Sequence, residues 1–205
     1  MNFAGCRHDR FRDDQPDCLP PILKDASEPL IRPAAIDHAP AINDIANWYI
    51  EHTSINFDTQ PWSLDKRIQW AGSFNQENCP YHLLIAEIEG EIAGFIYNTF
   101  FRPKNAYDRS TETTVYVKQD MSRRGIGEAL YRELFARIQL TDLHRAFAII
   151  TLPNPASIRL HEKLGFTECG LLSEAGWKFN TYHSIAMYEM KITKNHRASD
   201  SDSDI

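Results

Sequence analysis

The stretch SRRGIGEALYRELF, Ser122–Phe135, decides the fold class. Gly125 and Gly127 begin a run whose apolar residues recur every four positions, which predicts a helix: Ile126, Leu130, Leu134 and Ile138. Just before it, TETTVYV (Thr111–Val117) is rich in β-branched residues and predicts a strand. A strand, a glycine turn and a helix aim backbone N–H groups and the positive end of the helix dipole at one point, which suits an anion.

Three kinds of phosphate site share this geometry. A nucleotide P-loop needs Gly-Lys-Ser/Thr, and this chain has Gly127-Glu128 instead. A dinucleotide motif needs a third glycine where Leu130 stands. The pyrophosphate of coenzyme A remains. The glycines alone leave a second interpretation open and favour it, because two glycines often only shape a turn.

The composition limits the classes of protein that fit. The chain has 205 residues, which suits one domain with tails. We expect a loosely ordered extension at residues 1–28, the domain at 29–193 and a disordered Ser/Asp-rich tail at 194–205. A formal net charge of −6 argues against a general nucleic-acid binder. Four cysteines without paired spacing, and no apolar run of the length of a membrane span, predict a cytoplasmic protein that binds no membrane.

The remaining patterns predict the element order β-α-α-β-β-β-α-β-α-β-β, a mixed α/β sheet. Asp37 and Ser63 are the expected caps of the first two helices. Glu89-Gly90 between two apolar runs predicts a hairpin. The last two strands are expected at about residues 166–172 and 182–192.

Longer motifs carry a resemblance to a known family. TVYVKQDMSRRGIGEALY, followed by NPASIRLHEKLGF, resembles the GNAT superfamily of N-acetyltransferases over about Ile31–Ile192. SINFDTQP, RPKNAYD and GWK narrow it to the phosphinothricin and methionine-sulfoximine N-acetyltransferase branch. The resemblance implies a mixed, mostly antiparallel sheet flanked by helices and splayed at an acetyl-CoA cleft. This combined match favours the coenzyme over the interpretation of a mere turn.

The resemblance also implies how acetyl-CoA would be held, without a metal. The backbone of Val115, Tyr116 and Val117 would pair with the pantetheine arm as an added strand does. Asn154 would hydrogen-bond the arm from the opposite side, besides capping its own helix. The family pattern has Gln or Arg where this chain has Ser122, beside two arginines. The residues expected to hold the pyrophosphate are Arg123, Arg124, Gly125, Ile126, Gly127 and Glu128.

Two residues are the catalytic candidates. Strand alternation places Glu112 on one face with Thr114 and Tyr116, where partial burial would raise its pKa toward that of a general base. Glu112 also matches the glutamate that serves as base in the phosphinothricin branch. His161 matches a histidine of this branch, which implies that it either donates a proton to the leaving thiolate or helps to orient the amine. Without the motifs, Glu112 would as often be an ordinary exposed strand residue, and His161 would more often be structural. A backbone N–H near Val117 is the implied oxyanion donor.

The acceptor amine is implied by the branch. A substrate loop would supply Arg102, Lys104, Asn105, Ala106 and Tyr107, and the aromatic residues Phe57 and Trp177 would wall the pocket. We expect acetyl transfer to the α-amino group of a small amino acid such as phosphinothricin, methionine sulfoximine or methionine sulfone. The alternatives are a protein N-terminus or polyamine as acceptor, and a non-catalytic acyl-CoA sensor. Related enzymes are often homodimers, so a homodimer is implied as well.

Overall fold

A computed structural model describes residues 28–194, which form one seven-stranded sheet with helices on both faces. The strands are β1 (Leu30–Pro33), β2 (Leu83–Ile88), β3 (Glu91–Phe100), β4 (Ser110–Val117), β5 (Arg145–Thr151), β6 (Thr167–Lys178) and β7 (Thr181–Lys191). The helices are α1 (Ala39–His52), α2 (Leu64–Ala71), α3 (Ile126–Ile138) and α4 (Pro155–Lys163). This order confirms the predicted fold class. Nearly all of the expected extension and tail lie outside the described residues.

The sheet has the order β1-β2-β3-β4-β5-β7-β6 and is antiparallel except between β4 and β5. That parallel ladder joins only Ser110–Glu112 to Arg145–Phe147. Beyond it the two strands continue to Val117 and Thr151 without pairing to each other. Their facing backbone N–H and C=O groups therefore have no strand partner. The Val117 carbonyl accepts from the Tyr49 hydroxyl at 2.7 Å, and groups on this edge without such a donor remain available to a ligand. The sheet is splayed at its centre, as the sequence predicts.

Two apolar clusters hold the helices to the sheet. On one face, α3 buries its four-residue repeat, with Ile126, Leu130, Leu134 and Ile138 at most 1% exposed. On the other face, Ile42 and Ile45 of α1 pack with Phe95 and Tyr116. Each fully buried side chain of this kind contributes about 1.5–3 kcal/mol. The central strands are thereby fixed from both sides.

Helix ends follow the predicted chemistry in two cases of three. Ser63 accepts a hydrogen bond from the Lys66 N–H at 3.3 Å at the start of α2, and Asn154 caps α4. The prediction that Asp37 caps α1 is wrong. Asp37 lies inside a short 3-10 turn, and the residue that precedes α1 is His38. The His38 ring accepts from the Ala35 N–H at 2.8 Å at the start of that turn, and α1 itself begins without a side-chain cap.

The last hairpin is longer than the sequence predicts. β6 extends to Lys178, six residues beyond the expected end at Leu172. Two irregularities in its pairing with β7 lie at Glu168/Gly170 and Leu172/Gly176. Because these bulges break the alternation of inward and outward residues, the segment reads as a loop in the sequence. The hairpin predicted at Glu89-Gly90 is confirmed.

Candidate active site

The turn before α3 presents unbonded backbone N–H groups. Gly125 precedes the helix with φ of +77°, and no side chain caps it. The first backbone bond of α3 runs from the Ala129 N–H to the Gly125 carbonyl at 3.0 Å. The N–H groups of residues 126–128 thus have no helical acceptor. A β-carbon on Gly127 would lie 3.1 Å from Leu160 Cδ2, so glycine allows α3 and α4 to approach closely here.

This turn forms one end of an open cleft of about 620 Å³. The cleft runs along the unpaired half of β4 to Asn154 at the start of α4. All the predicted coenzyme residues except Arg124 line it: Val115, Tyr116, Val117, Arg123, Gly125, Ile126, Gly127, Glu128 and Asn154. Arg123 and Arg124 are exposed, and neither belongs to an ion pair found between described residues. The structure therefore gathers these residues into a cradle that fits an anion with a long arm.

Glu128 contributes its backbone to this cradle more than its side chain. Its carboxylate accepts hydrogen bonds from Lys163 Nζ at 2.5 Å and from Arg132 Nη2 at 2.7 Å. These two cations, of which Lys163 has the larger effect, hold the pKa of Glu128 below its usual value. The negative charge is compensated within the protein, which leaves the N–H of Glu128 to face an anion.

A second, smaller cavity of about 60 Å³ lies where β4 and β5 separate, next to the large cleft. Asn154 lines both cavities, and its Oδ1 accepts from the Ser157 N–H at 3.1 Å. The helix cap and a contact with a bound arm are thus compatible for this side chain. Thr114, Tyr131 and His161 also line the smaller cavity.

Glu112 is the last residue of β4 that pairs with β5, beside Phe147. Its side chain is 30% exposed, and Arg102 Nη1 lies 4.0 Å from its Oε2. Burial raises the pKa of Glu112, and the Arg102 guanidinium opposes that rise. Glu112 and Tyr116 are an even number of residues apart in β4, so their side chains point to the same face of the sheet. Tyr116 packs against α1 on that face. The carboxylate therefore lies on the α1–α2 face of the sheet, at the level where the strands part.

His161 lies on the opposite face and is 3% exposed. Its Nδ1 is 2.7 Å from the Ser157 carbonyl, which can only accept, so Nδ1 carries the proton. Its Nε2 is 2.7 Å from the Tyr131 hydroxyl, and that hydroxyl is 3.1 Å from Thr113 Oγ1. Burial lowers the pKa of His161, so the ring is neutral and Nε2 accepts from Tyr131. Sequence reasoning missed Tyr131, because an aromatic residue in a helix repeat reads as core.

The residues of the predicted substrate loop fall into two groups. Arg102 and Tyr107 contact other side chains, and the remaining residues are exposed. Arg102 reaches Glu112, and its guanidinium lies 4.3 Å from the centre of the Phe101 ring. Phe101 stacks on Phe147 at 4.1 Å and holds the edge of Tyr107 at 5.8 Å. The other predicted loop residues, Lys104, Asn105 and Ala106, are exposed on the rim.

Phe57 and Trp177 do not form a common wall. The Phe57 ring packs on the backbone of Gly176, where a β-carbon would collide with it. Trp177, next in the strand, points to the other face, is 55% exposed and packs on Tyr182 at 4.7 Å. The structure thus packs Phe57 against the last hairpin and places Trp177 at the tip of that hairpin.

Two negative findings apply to residues 28–194. None of the helices in this range combines the length and apolar character that crossing a membrane requires. In the same range, no three His, Cys, Asp or Glu side chains gather in a way that could hold a metal ion.

Comparisons with known proteins agree with this geometry. The acetyltransferase (GNAT) family model matches residues 42–166. Phosphinothricin N-acetyltransferase of Streptomyces coelicolor is 41% identical over 81% of this chain and 98% of its own length. L-methionine sulfoximine/L-methionine sulfone acetyltransferase of Pseudomonas paraeruginosa is 28% identical over 82% of this chain and 97% of its own.

Solved structures give the same fold. Ribosomal-protein-alanine N-acetyltransferase of Brucella melitensis matches with a TM-score of 0.76 and 33% identity, over 79% of this chain and 99% of that one. YncA of Salmonella typhimurium, solved with acetyl-CoA as its cofactor, matches with a TM-score of 0.77 and 25% identity. That match covers 85% of this chain and 99% of YncA.

Proposed function

The chain belongs to the GNAT family of acetyltransferases, and we propose that it acetylates the α-amino group of a small amino acid or analogue. Phosphinothricin, methionine sulfoximine and methionine sulfone define the acceptor class, on the strength of the relatives' names. The observation that carries the proposal is the position of Glu112. A half-buried carboxylate with a raised pKa lies at the split of the sheet, two residues before Thr114, which lines the small cavity next to the cleft that fits the coenzyme.

The cleft residues fit acetyl-CoA, which supplies an acetyl thioester. We assign the diphosphate to the free N–H groups of residues 126–128, with Arg123 and Arg124 adding positive charge. The unpaired edge of β4 from Thr113 to Val117 would accept the pantetheine arm as a further strand. Asn154 faces that edge from the start of α4.

Glu112 is the proposed general base. An ammonium group cannot attack, so the acceptor must lose a proton to a nearby group first. The raised pKa of Glu112 brings it closer to the operating pH, which improves proton transfer. Arg102, 4.0 Å away, limits the rise in the pKa of Glu112 and so favours the ionised carboxylate.

His161 is the proposed proton donor to the departing thiolate, and we propose that it acts through Tyr131, whose hydroxyl is 2.7 Å from Nε2. In the neutral ring the only proton is on Nδ1 and is bound to the Ser157 carbonyl. When His161 gains a second proton from solvent through the cavity that it lines, its Nε2–H donates to the Tyr131 oxygen; Tyr131 then gives its own proton to the thiolate, takes the Nε2 proton in its place and leaves His161 neutral again. The phenol thus relays the proton that the imidazole holds.

The covered acceptor side favours a small substrate over a protein N-terminus or a polyamine. Lys178 Nζ donates to the Asn56 carbonyl at 2.6 Å, and Asn56 Nδ2 donates to the Tyr116 hydroxyl at 2.9 Å. These bonds hold the 53–62 loop against the last hairpin and β4. A non-catalytic sensor ranks lower, because the chain keeps both proposed catalytic residues, Glu112 and His161.

We also propose that the enzyme is a cytoplasmic homodimer. Exposed apolar side chains cluster on the β6–β7 hairpin, whose strand β6 is at the sheet edge: Leu171, Leu172, Trp177, Phe179 and Tyr182. An exposed patch of this kind suits a protein interface. Sedimentation equilibrium at micromolar concentration should give twice the chain mass, and a monomer would reject the dimer.

The test of function is release of CoA from acetyl-CoA, followed with a thiol reagent. Phosphinothricin, methionine sulfoximine and methionine sulfone should be acetylated, while an alanine-starting peptide and spermidine should not. Glu112→Gln should lower kcat by about 100-fold or more and keep acetyl-CoA affinity. The exposed Glu77→Gln is the matched control and should behave as wild type. Turnover of the peptide alone would reject the substrate class.

A further inference from the structure

Arg67, on α2, is a buried cation with no carboxylate at ion-pair distance among the described residues; Asp58 acts on it only from farther away. It is 5% exposed, yet it belongs to none of the ion pairs between described residues. Arginine is almost never buried unless it is paired, because removing the charge from water is costly. An unpaired guanidinium at such a position indicates that an anion from outside the chain completes the site.

The surroundings of Arg67 leave one edge of the guanidinium for that anion. Its plane lies 4.2 Å from the centre of the Trp62 ring and 4.8 Å from that of Trp70. Its Nε donates to Asn43 Oδ1 at 3.3 Å. Within residues 28–194, no side chain or backbone acceptor binds its two Nη atoms. These atoms form the fork that matches a carboxylate with two parallel hydrogen bonds.

Arg67 and Glu112 share one face of the sheet. Tyr97 of β3 packs edge-on against Trp70 at 5.0 Å and pairs across the sheet with Thr114. Glu112 is two residues before Thr114 on the same face. Both Glu112 and Arg67 act electrostatically on Tyr97, from opposite charges. Tyr97 therefore lies between the carboxylate that would receive the amine and the cation that has no partner.

We propose that Arg67 binds the α-carboxylate of the acceptor amino acid and so presents its amino group to Glu112. This inference rests on the proposed function and adds the group that the acceptor must carry. An α-amino acid has its ammonium and carboxylate on one carbon. This matches the Glu112 carboxylate and the Arg67 guanidinium on either side of the Tyr97 ring. A peptide N-terminus or a polyamine has no α-carboxylate, so the site rejects both.

The test compares two acceptors with and without the carboxylate. L-methionine sulfone has it, and 3-(methylsulfonyl)propylamine lacks only that group. Arg67→Met should lower kcat/KM for methionine sulfone by about 10- to 100-fold, mainly through KM, because a charge-assisted hydrogen bond is lost. The same variant should leave kcat/KM for the propylamine within about threefold of wild type.

Lys66→Met is the matched control. Lys66 lies 3.7 Å from the centre of the same Trp62 ring, and its side chain is exposed. Its loss should change neither acceptor. Arg67→Lys keeps the charge without the fork and should give an intermediate loss, which covers the case that the methionine variant does not fold. Calorimetry of methionine sulfone binding in the presence of CoA gives a second readout, free of turnover.

Equal losses for the two acceptors, or none for methionine sulfone, would overturn the assignment of Arg67 and leave the proposed function standing. If wild type neither binds nor acetylates methionine sulfone or any other amino acid, the assignment and the proposed function both fail. Wild type that acetylates the propylamine as well as methionine sulfone would also overturn the assignment.

Discussion

Arg102→Met is expected to raise the pKa of the Glu112 carboxyl. The two charges are 4.0 Å apart, and their side chains are 48% and 30% exposed. At this distance in water the attraction is about 1 kcal/mol. Exposed pairs retain about 0.2–1 kcal/mol after solvent screening. At about 1.36 kcal/mol per pKa unit, removal of the guanidinium should raise the pKa by about 0.1–0.7.

The assay is the pH dependence of kcat/KM with methionine sulfone. Glu112 accepts a proton only when it is ionised, so activity rises with pH through its pKa, and the variant should rise at higher pH. The acceptor amine titrates identically with both proteins, so the difference between the profiles isolates Glu112. At about 1 M salt the difference between the two pH profiles should shrink, because the Debye length is then about 3 Å, shorter than the separation of the two charges.

Lys104→Met is the control for this experiment. Lys104 is exposed in the same loop and makes no ion pair with Glu112 within the described residues. Lys104→Met should leave the acidic limb of the pH profile at the same pH as in wild type, whether or not KM changes. An unshifted limb in Arg102→Met, or an equal shift in Lys104→Met, would refute the local electrostatic argument.

Three further outcomes are expected. Gly125→Ala should lower the free energy of unfolding by about 1–2 kcal/mol in thermal melts and weaken acetyl-CoA binding, because φ is +77° there. An unchanged Tm would contradict the turn geometry. Tyr131→Phe should cost about 1–3 kcal/mol in urea unfolding, because it leaves the buried Nε2 of His161 without a donor; a neutral effect would show that this bond is absent. Burial lowers the pKa of His161 in the folded state, so the unfolded chain binds its proton at higher pH. The unfolding free energy should therefore fall as pH drops below about 6.5, and His161→Asn should reduce that fall in urea melts at two pH values.

Much of the fold could be predicted from local chemistry. The repeat of α3, the Asn154 cap and the Glu89-Gly90 turn each depend on residues close together in the sequence. The errors arose where partners are distant or the pattern is broken. α1 follows a short 3-10 turn and begins without a side-chain cap, and β6 is hidden by bulges that remove the period of two.

The candidate site shows the same division. Glu112 and Asn154 could be assigned from strand alternation and motif, since their surroundings follow from β4 and α4. Tyr131 and Arg67 could not, because a helical phenol reads as core and a helical arginine reads as surface. Their importance comes from pairing across the fold, with His161 and with two indole rings.

The central claim is that the turn before α3 binds the diphosphate while Glu112 faces the acetyl group. A crystal structure of the chain with acetyl-CoA tests it most directly. We predict the diphosphate oxygens within hydrogen-bond distance of the N–H groups of residues 126–128, and the thioester between β4 and β5 beside Glu112. A diphosphate bound elsewhere, or a thioester out of reach of Glu112, would contradict the account.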